Sequence, residues 1–215
     1  MQSDLFTRET TLPDGVTHWP GAIAVSEQAV VLDAIAGVMA AAPPFRPRLR
    51  NGTPMINRLT NCGPWGWLSD EKGYRYEARH PETELPWPSI PEPVLEAAHW
   101  AARQLGVADF EPDACLVNIY TREGKLNLHR DEDEADPRWP IVSLSFGASA
   151  IFALGGFKRQ DPVQLLTLQS GDAMALHGPS RMRYHGVRRI AGTSPIVHPA
   201  LPEGGRINLT LRRAT

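Results

Sequence analysis

The pattern of apolar and polar positions predicts two helices in the first half of the chain. Apolar residues recur at helical spacing from Ser26, which we expect to cap the helix, to about Ala42, and Pro43-Pro44 end it. The capping-box sequence Ser89-Ile90-Pro91-Glu92 predicts the start of a second helix, which Gly106 stops. We expect both helices to support a sheet and not to carry chemistry.

Beyond Gly106 the pattern changes to short apolar or alternating runs separated by Gly, Pro and Asp, which predict strands. The expected strands are Cys115–Tyr120, Leu126–His129, Ile141–Phe146, Ala150–Leu154, Val163–Leu168, Ala173–Leu176, Arg181–Val187 and Arg206–Leu211. A proline-containing loop is expected over Thr193–Gly205. Mainly β structure with flanking N-terminal helices predicts a two-sheet jelly roll, the double-stranded β-helix.

The segment between the two predicted helices is rich in turns and aromatic side chains. Asn51-Gly52 is typical of a tight hairpin turn. The aromatic residues that follow are Trp65, Trp67, Tyr74, Tyr76 and Trp87. We expect one domain over residues 1–215, with this segment forming a lid over about residues 45–90 and a jelly-roll core over about residues 113–213.

Composition adds limits on partners and compartment. A formal net charge of −2 argues against bulk electrostatic capture of nucleic acid, although basic residues cluster at Arg46–Arg50, Lys158-Arg159 and Arg181–Arg183. Cys62 and Cys115 have no CxxC spacing and fit a reducing compartment. The sequence has neither an export signal nor an apolar run long enough for a membrane span. We therefore expect a monomeric cytoplasmic protein.

His129, Asp131 and His185 have the pattern of an iron site. His129 and Asp131 lie two positions apart in an extended segment, so they project to the same side. Two imidazoles and one carboxylate on one face of octahedral Fe(II) leave the opposite positions open for a cosubstrate and dioxygen. Chance can also place such a triplet among seven histidines, so the triplet alone is weak evidence. His177 precedes a turn, and its role stays open.

The last predicted strand alternates strictly between apolar and polar side chains. Its apolar positions are Ile207, Leu209 and Leu211, and its polar positions are Arg206, Asn208, Thr210 and Arg212. The polar face could meet water, or it could bind a dicarboxylate, because guanidinium groups hold carboxylates through paired hydrogen bonds. Together with the metal triplet, this face indicates a 2-oxo dicarboxylate cosubstrate.

Several motifs stand in an order that resembles the AlkB family of alkylation-repair dioxygenases. They are Asn118-Ile119-Tyr120, Gly124-Lys125-Leu126, His129-Arg130-Asp131-Glu132-Asp133, Tyr184-His185-Gly186 and Arg206-x-Asn208-x-Thr210-x-Arg212. The resemblance covers nearly the whole chain apart from its N-terminal end. It implies Fe(II), 2-oxoglutarate and O2 as cofactor and cosubstrates. It further implies demethylation of 1-methyladenine and 3-methylcytosine in single-stranded or flipped-out DNA, with RNA as an open alternative.

The resemblance also implies roles for individual residues. His129, Asp131 and His185 match the iron ligands. The residues that match 2-oxoglutarate contacts are Asn118, Tyr120, Arg206 at the far carboxylate, Asn208 and Arg212 near the metal-bound end. The residues that match contacts to the substrate nucleotide are Trp67, Tyr74, Tyr76, Asp133 and Arg159. The stretch Ala173–His177 lacks an aromatic residue expected near the metal pocket, which leaves the base preference open.

Alternatives stay open at this point. A dioxygenase of the same chemistry could act on a protein side chain or a small metabolite, although the aromatic segment Trp65–Tyr76 and Lys158-Arg159 disfavour this. A jelly-roll binding module without turnover would not need both a metal triplet and an anion-binding strand. Taken singly, Trp67 could be a core residue and Asp133 a solvated acid. The arginines of Arg46–Arg50 could contact phosphates or only water.

Overall fold

The computed structural model describes residues 11–215. Both predicted helices and eight strands beyond Gly106 are present, and four further strands lie before the second helix, where no strand was predicted. The helices are α1 (Val25–Ala41) and α2 (Glu92–Gln104). The strands are β1 (Val16–Trp19), β2 (Arg58–Cys62), β3 (Gly66–Asp70), β4 (Gly73–Glu77), β5 (Ala114–Tyr120), β6 (Leu126–His129), β7 (Ile141–Gly147), β8 (Ser149–Leu154), β9 (Gln164–Leu168), β10 (Ala173–Leu176), β11 (His185–Ala191) and β12 (Arg206–Arg212). In residues 11–215, neither helix combines the length and the apolar character that a membrane crossing requires.

Two antiparallel sheets form the core of the protein. The larger sheet has six strands in the order β1-β10-β7-β12-β5-β2, and the smaller has four in the order β6-β11-β8-β9. A buried cluster joins Tyr120 and Met174 of the larger sheet to Phe152 and Val187 of the smaller one. The sheets therefore face each other, and the predicted jelly roll is confirmed.

Both helices cover the outer face of the larger sheet, as predicted. Leu32 and Ile35 of α1 and Val94 of α2 are fully buried in one cluster with Leu144 and Leu209 of the sheet. Burying each such side chain contributes about 1.5–3 kcal/mol relative to leaving it exposed. Because the helices take the apolar face of β12, its polar face turns to the space between the sheets.

The predicted helix caps were wrong at both N-termini. Helix α1 follows Ala24, and the carboxylate of Glu27, instead of a Ser26 side chain, accepts a hydrogen bond from the Ala24 backbone N–H at 3.2 Å. Helix α2 follows Pro91, and Ser89 makes no capping hydrogen bond there. Proline is tolerated at a helix start because the first N–H groups have no partner within the helix.

The predicted stop at Gly106 is confirmed. Gly106 has φ +75°, and its N–H donates to the Arg103 carbonyl at 3.0 Å. The Val107 N–H donates to the Ala102 carbonyl at 2.9 Å. This pair of bonds is the Schellman motif, in which glycine adopts the left-handed conformation without a Cβ clash.

One strand was predicted four residues too early. The strand begins at His185 and extends to Ala191, whereas residues 181–184 follow the short 3-10 turn Gly178–Ser180. The guanidinium of Arg181 points inward, where Nη1 donates to the Asp131 carbonyl at 2.8 Å. A tertiary hydrogen bond therefore holds this segment out of the sheet.

The aromatic segment folds against the edge of the larger sheet. Strand β2 pairs with β5, Phe45 forms an antiparallel bridge with Leu59, and β3 pairs with β4 as a hairpin. Asn51-Gly52 does form a tight turn, closed by a hydrogen bond of 2.9 Å from the Leu49 N–H to the Thr53 carbonyl. Trp87 is buried beneath this segment, and its Nε1 donates to the Glu77 carbonyl at 2.8 Å.

Gly66→Ala should destabilise the protein, because a Cβ at this position would lie 2.7 Å from Cζ2 of Trp87. Overpacking of this kind costs about 1–3 kcal/mol. Gly37→Ala is the matched control, since a Cβ there meets nothing within 4 Å and alanine favours the helix by about 0.5–1 kcal/mol. Urea unfolding followed by circular dichroism measures both, and equal stability of the two variants would contradict the packing argument.

Candidate active site

A pocket opens between the two sheets and is covered on one side by the β3–β4 hairpin. All of the predicted site residues line it except Tyr76 and Arg159. The residues that line it are His129, Asp131, His185, Asn118, Tyr120, Arg206, Asn208, Arg212, Trp67, Tyr74 and Asp133. Apolar side chains such as Phe152, Met174 and Leu176 complete the wall, so polar groups here are partly shielded from water.

The two predicted imidazoles and the carboxylate converge at one point in the pocket. His129 at the end of β6 and His185 at the start of β11 are paired across the smaller sheet. Asp131 follows β6, and the three ligand atoms lie within 4.8 Å of one another. The Nε2 atoms of His129 and His185 lie 3.5 and 3.7 Å from the Asp131 carboxylate oxygens. Three donors at this spacing fit one metal ion.

The hydrogen bonds of the two rings leave the correct nitrogen free for a metal. Nδ1 of His129 lies 3.0 Å from the Asn127 carbonyl, and Nδ1 of His185 lies 3.1 Å from the Arg183 carbonyl. A carbonyl can only accept, so each Nδ1 carries the proton and each Nε2 presents its lone pair. Burial, with the neighbouring His129, lowers the pKa of His185 to about 4, which keeps it neutral at pH 7. The donor set therefore fits Fe(II).

Two arginines hold the carboxylate ligand. Arg212 Nη2 donates to Asp131 Oδ2 at 2.9 Å, and Arg181 Nη1 donates to the Asp131 carbonyl at 2.8 Å. Burial alone would raise the pKa of Asp131, but the positive charge of Arg212 and the adjacent imidazoles lower it below its usual range. The carboxylate is therefore ionised and fixed in direction without a bound metal ion.

Glu134 joins this arrangement, and the sequence reading missed it. Arg181 Nη2 donates to Glu134 Oε2 at 2.8 Å, while Arg212 Nε lies 3.4 Å from Glu134 Oε1. The Tyr76 hydroxyl also donates to Glu134 Oε1, at 2.6 Å. Arg181, which the sequence places in a local basic cluster, is buried at 2% exposure. Glu134 ends the acidic run Asp131-Glu132-Asp133-Glu134, and this run was the only sequence signal that could have singled it out.

Arg206 is a buried cation without a carboxylate partner in residues 11–215. It is 1% exposed, and Nη2 donates to Ser145 Oγ at 2.9 Å. Its Nε has no hydrogen-bond partner among the described residues. Burial lowers the pKa of Arg206 to about 10, so the side chain stays charged at neutral pH. A buried charge left unpaired is costly, and an anion bound in this pocket would compensate it.

The neighbouring polar residues are held rigidly. Asn208 Nδ2 donates to Ser143 Oγ at 2.8 Å and to the Leu144 carbonyl at 2.9 Å. Asn208 and Asn118 are paired across β12 and β5, and Arg206 is paired with Tyr120. Burial raises the pKa of Tyr120 to about 12, so its hydroxyl stays protonated. Both amide hydrogens of Asn208 are used within the protein, so the pocket presents the Arg206 cation and the Tyr120 hydroxyl to a dicarboxylate.

Two aromatic rings and a carboxylate stand at the mouth of the pocket. Trp67 and Tyr74 are stacked with ring centroids 5.4 Å apart and an interplanar angle of 28°. Trp67 Nε1 donates to Asp133 Oδ2 at 3.0 Å. Trp67 is half-buried and packs against a core cluster, while its Nε1 reaches Asp133. Both residues line the mouth of the pocket.

Tyr76 and Arg159 lie beside the pocket. The Tyr76 hydroxyl is taken by Glu134, and burial raises the pKa of Tyr76 well above its usual range. Arg159 Nη1 donates to the Leu128 carbonyl at 2.6 Å, and its guanidinium lies 5.2 Å from the Tyr184 ring centroid. His177 lies outside the pocket, with Nε2 3.3 Å from Thr17 Oγ1.

Comparisons with known proteins agree with this geometry. The family model described as the 2OG-Fe(II) oxygenase superfamily matches residues 15–212. The chain is 44% identical over 211 residues to the "Alpha-ketoglutarate-dependent dioxygenase AlkB homolog" of Caulobacter vibrioides, covering 98% of this chain and 92% of the relative. It is 41% identical over 109 residues to the "DNA N(6)-methyladenine demethylase ALKBH1C" of Arabidopsis thaliana, covering 47% of this chain and 24% of the relative.

A solved structure titled "The structure of OsALKBH1" has the same fold. It superposes with a TM-score of 0.77 at 28% sequence identity, covering 94% of this chain and 99% of that one. The family model and the AlkB relative agree with Fe(II) and 2-oxoglutarate as the cofactor and cosubstrate. The chain therefore belongs to the 2OG-Fe(II) oxygenase superfamily, and within it to the AlkB family of Fe(II)- and 2-oxoglutarate-dependent dioxygenases.

Proposed function

We propose that this chain is an oxidative demethylase of N-alkylated nucleobases that repairs alkylation damage in DNA, with RNA as a second substrate. The observation that carries the proposal is the mouth of the pocket, where the stacked Trp67 and Tyr74 rings and the Asp133 carboxylate stand beside the metal ligands. A planar cationic base would stack on an aromatic ring face and pair its charge with the carboxylate. The preferred substrates are 1-methyladenine and 3-methylcytosine.

The groups in the pocket divide the tasks of this reaction. His129, Asp131 and His185 would hold the iron ion, which with 2-oxoglutarate and dioxygen would supply the oxidation of an N-methyl carbon. That carbon would leave as formaldehyde, with succinate and CO2 as the other products. Arg206 holds the far carboxylate of 2-oxoglutarate by charge. Arg212 would contact the end of 2-oxoglutarate that lies nearer the metal, and it also holds Asp131 by a hydrogen bond.

Recognition of the lesion would use the mouth of the pocket. A base inside a duplex cannot enter, so the target is single-stranded or flipped out, at a cost smallest for a lesion that cannot pair. Stacking on Trp67 would contribute about 1–3 kcal/mol. Asp133 would favour 1-methyladenine and 3-methylcytosine because methylation makes these bases cationic.

We propose that residues 45–90 act as the nucleotide-recognition lid over a jelly-roll core of residues 113–213, within one domain.

We also propose that the enzyme works as a monomer in the cytoplasm. Cys62 and Cys115 are both free and buried, which suits a reducing compartment.

A dioxygenase of a protein side chain or small metabolite is the alternative function. Release of formaldehyde from a methylated oligonucleotide, dependent on iron, 2-oxoglutarate and oxygen, separates the two functions, because the alternative predicts none.

His185→Ala should abolish turnover and weaken iron binding, because it removes one of three protein ligands. His177→Ala is the matched control, since that histidine lies outside the pocket. Binding of Fe(II) under anaerobic conditions and formaldehyde release are measured for both variants. Full iron-dependent activity in His185→Ala would exclude the ligand assignment.

Arg206→Ala should weaken 2-oxoglutarate binding by about 2 kcal/mol or more, the size of a lost hydrogen bond to a charged group. Arg213→Ala is a suitable control, because its guanidinium stacks on the Trp139 ring at 4.6 Å and is not among the residues that line the pocket. Calorimetric titration of 2-oxoglutarate into the iron-loaded protein measures both. Equal affinity in Arg206→Ala and the wild type would show that another residue binds the far carboxylate.

Asp133→Asn should slow repair of 1-methyladenine and 3-methylcytosine more than repair of 1-methylguanine. The asparagine keeps a hydrogen-bond acceptor for Trp67 Nε1 but loses the charge that favours a cationic base. Glu132→Gln is the control, because that exposed carboxylate is already paired with Arg130. Repair rates on matched single-stranded oligonucleotides are compared, and equal losses on cationic and neutral lesions would remove the electrostatic argument.

A further inference from the structure

A loop beside the mouth of the pocket carries an exposed aromatic ring that the reaction itself does not use. This loop, Gly155–Arg159, is called the rim loop below. The side chain of Phe157 is 49% exposed, an unusual state for a large aromatic ring. The guanidinium of Arg183 lies 4.7 Å from the Phe157 ring centroid and covers one of its faces. The exposed part of the ring remains available to a partner.

The rim loop is fixed to the metal site through the backbone. The Gly155 N–H donates to the Tyr184 carbonyl at 2.7 Å, and the Tyr184 N–H donates to the Gly156 carbonyl at 2.9 Å. Tyr184 directly precedes the metal ligand His185. Arg183 Nη1 also donates to the Gly155 carbonyl at 3.0 Å. Phe157 therefore holds a set position relative to the metal ligands.

The surroundings of Phe157 are positively charged. Lys158, Arg159 and Arg183 form no salt bridge within residues 11–215, where the contacts of the two arginines are to carbonyl and hydroxyl oxygens and to aromatic rings. Arg130, which lines the pocket, lies over the Tyr184 ring at 5.5 Å and so connects the rim loop to the mouth. Two carboxylates lie nearby: Asp161, whose Oδ2 accepts a hydrogen bond from the Lys158 backbone N–H, and Glu132, which pairs with Arg130. The four cations outnumber them, and this local positive excess on a chain of net charge −2 favours an anionic partner.

We propose that Phe157 is a stacking platform for the base next to the flipped-out lesion, and that Lys158 and Arg183 contact the phosphates beside that base. An aromatic ring among cations is the combination that binds single-stranded nucleic acid, because every base has a ring face and every linkage has a negative charge. The inference rests on the proposed function and extends it. The preferred substrate is an oligonucleotide and not an isolated nucleotide.

The test compares Phe157→Ala with Leu165→Ala, a control on the smaller sheet with the same 49% exposure. Substrates are 1-methyladenosine monophosphate and a single-stranded pentanucleotide with 1-methyladenine at its centre. We expect Phe157→Ala to raise the pentanucleotide KM by about five-fold or more, the weak end of one base–aromatic stack. Turnover of the mononucleotide should stay unchanged, which also shows that the variant folds. Phe157→Trp should restore pentanucleotide binding.

A binding measurement identifies the stacked base directly. The fluorescent base 2-aminopurine is placed on either side of the lesion, and its quenching on binding is followed. Quenching at one of the two positions should be lost in Phe157→Ala and kept in Leu165→Ala. Equal pentanucleotide affinity and equal quenching in these two variants would overturn the inference. The exposed Phe157 ring would then be assigned to an apolar partner that is not nucleic acid. If the wild type releases no formaldehyde from either substrate, the proposed function fails, whereas the binding comparison still decides the role of Phe157.

Discussion

A buried set of two carboxylates and two guanidinium groups positions the active site. Asp131 and Glu134 are each held by arginines from distant parts of the chain, Arg181 before β11 and Arg212 at the end of β12. Charges taken out of water are stable only when they are paired and hydrogen-bonded, and here the two charges of each sign balance. Because Asp131 is one member, the pairing that stabilises this charge cluster also aims the metal ligand.

The two arginines of β12 are in opposite electrostatic states, and this difference prepares the pocket for its cosubstrate. Arg212 is neutralised by Asp131 and Glu134, which raise its pKa above the usual range against the effect of burial. Arg206 lies on the same strand face but has no carboxylate partner in the described part of the chain. One arginine is therefore structural before any ligand binds, and the other carries a charge that a dicarboxylate can satisfy.

The position of this face follows from the layers of the fold. The helices bury Ile207, Leu209 and Leu211 on the outer side of the larger sheet. Alternation in a strand then directs Arg206 and Arg212 inward, between the two sheets. The β3–β4 hairpin joins the same arrangement, since the Tyr76 hydroxyl donates to Glu134. The β3–β4 hairpin and Asp131 thus share one hydrogen-bonded network.

The sequence by itself indicated the jelly roll, the His129-Asp131-His185 triplet and the alternation of β12. Short-range periodicity indicated the strands, whereas the triplet depended on residue types that suit iron and on the resemblance of the ordered motifs to the AlkB family. Only the tertiary structure decided that Arg181 is buried, that Glu134 joins the site, that the Tyr76 hydroxyl bonds to Glu134 instead of lining the pocket and that residues 181–184 are not a strand. These outcomes depend on pairing between charges far apart in the chain. Local patterns report which residues can pair, whereas burial selects the partners, since each ion removed from water must find a counter-ion.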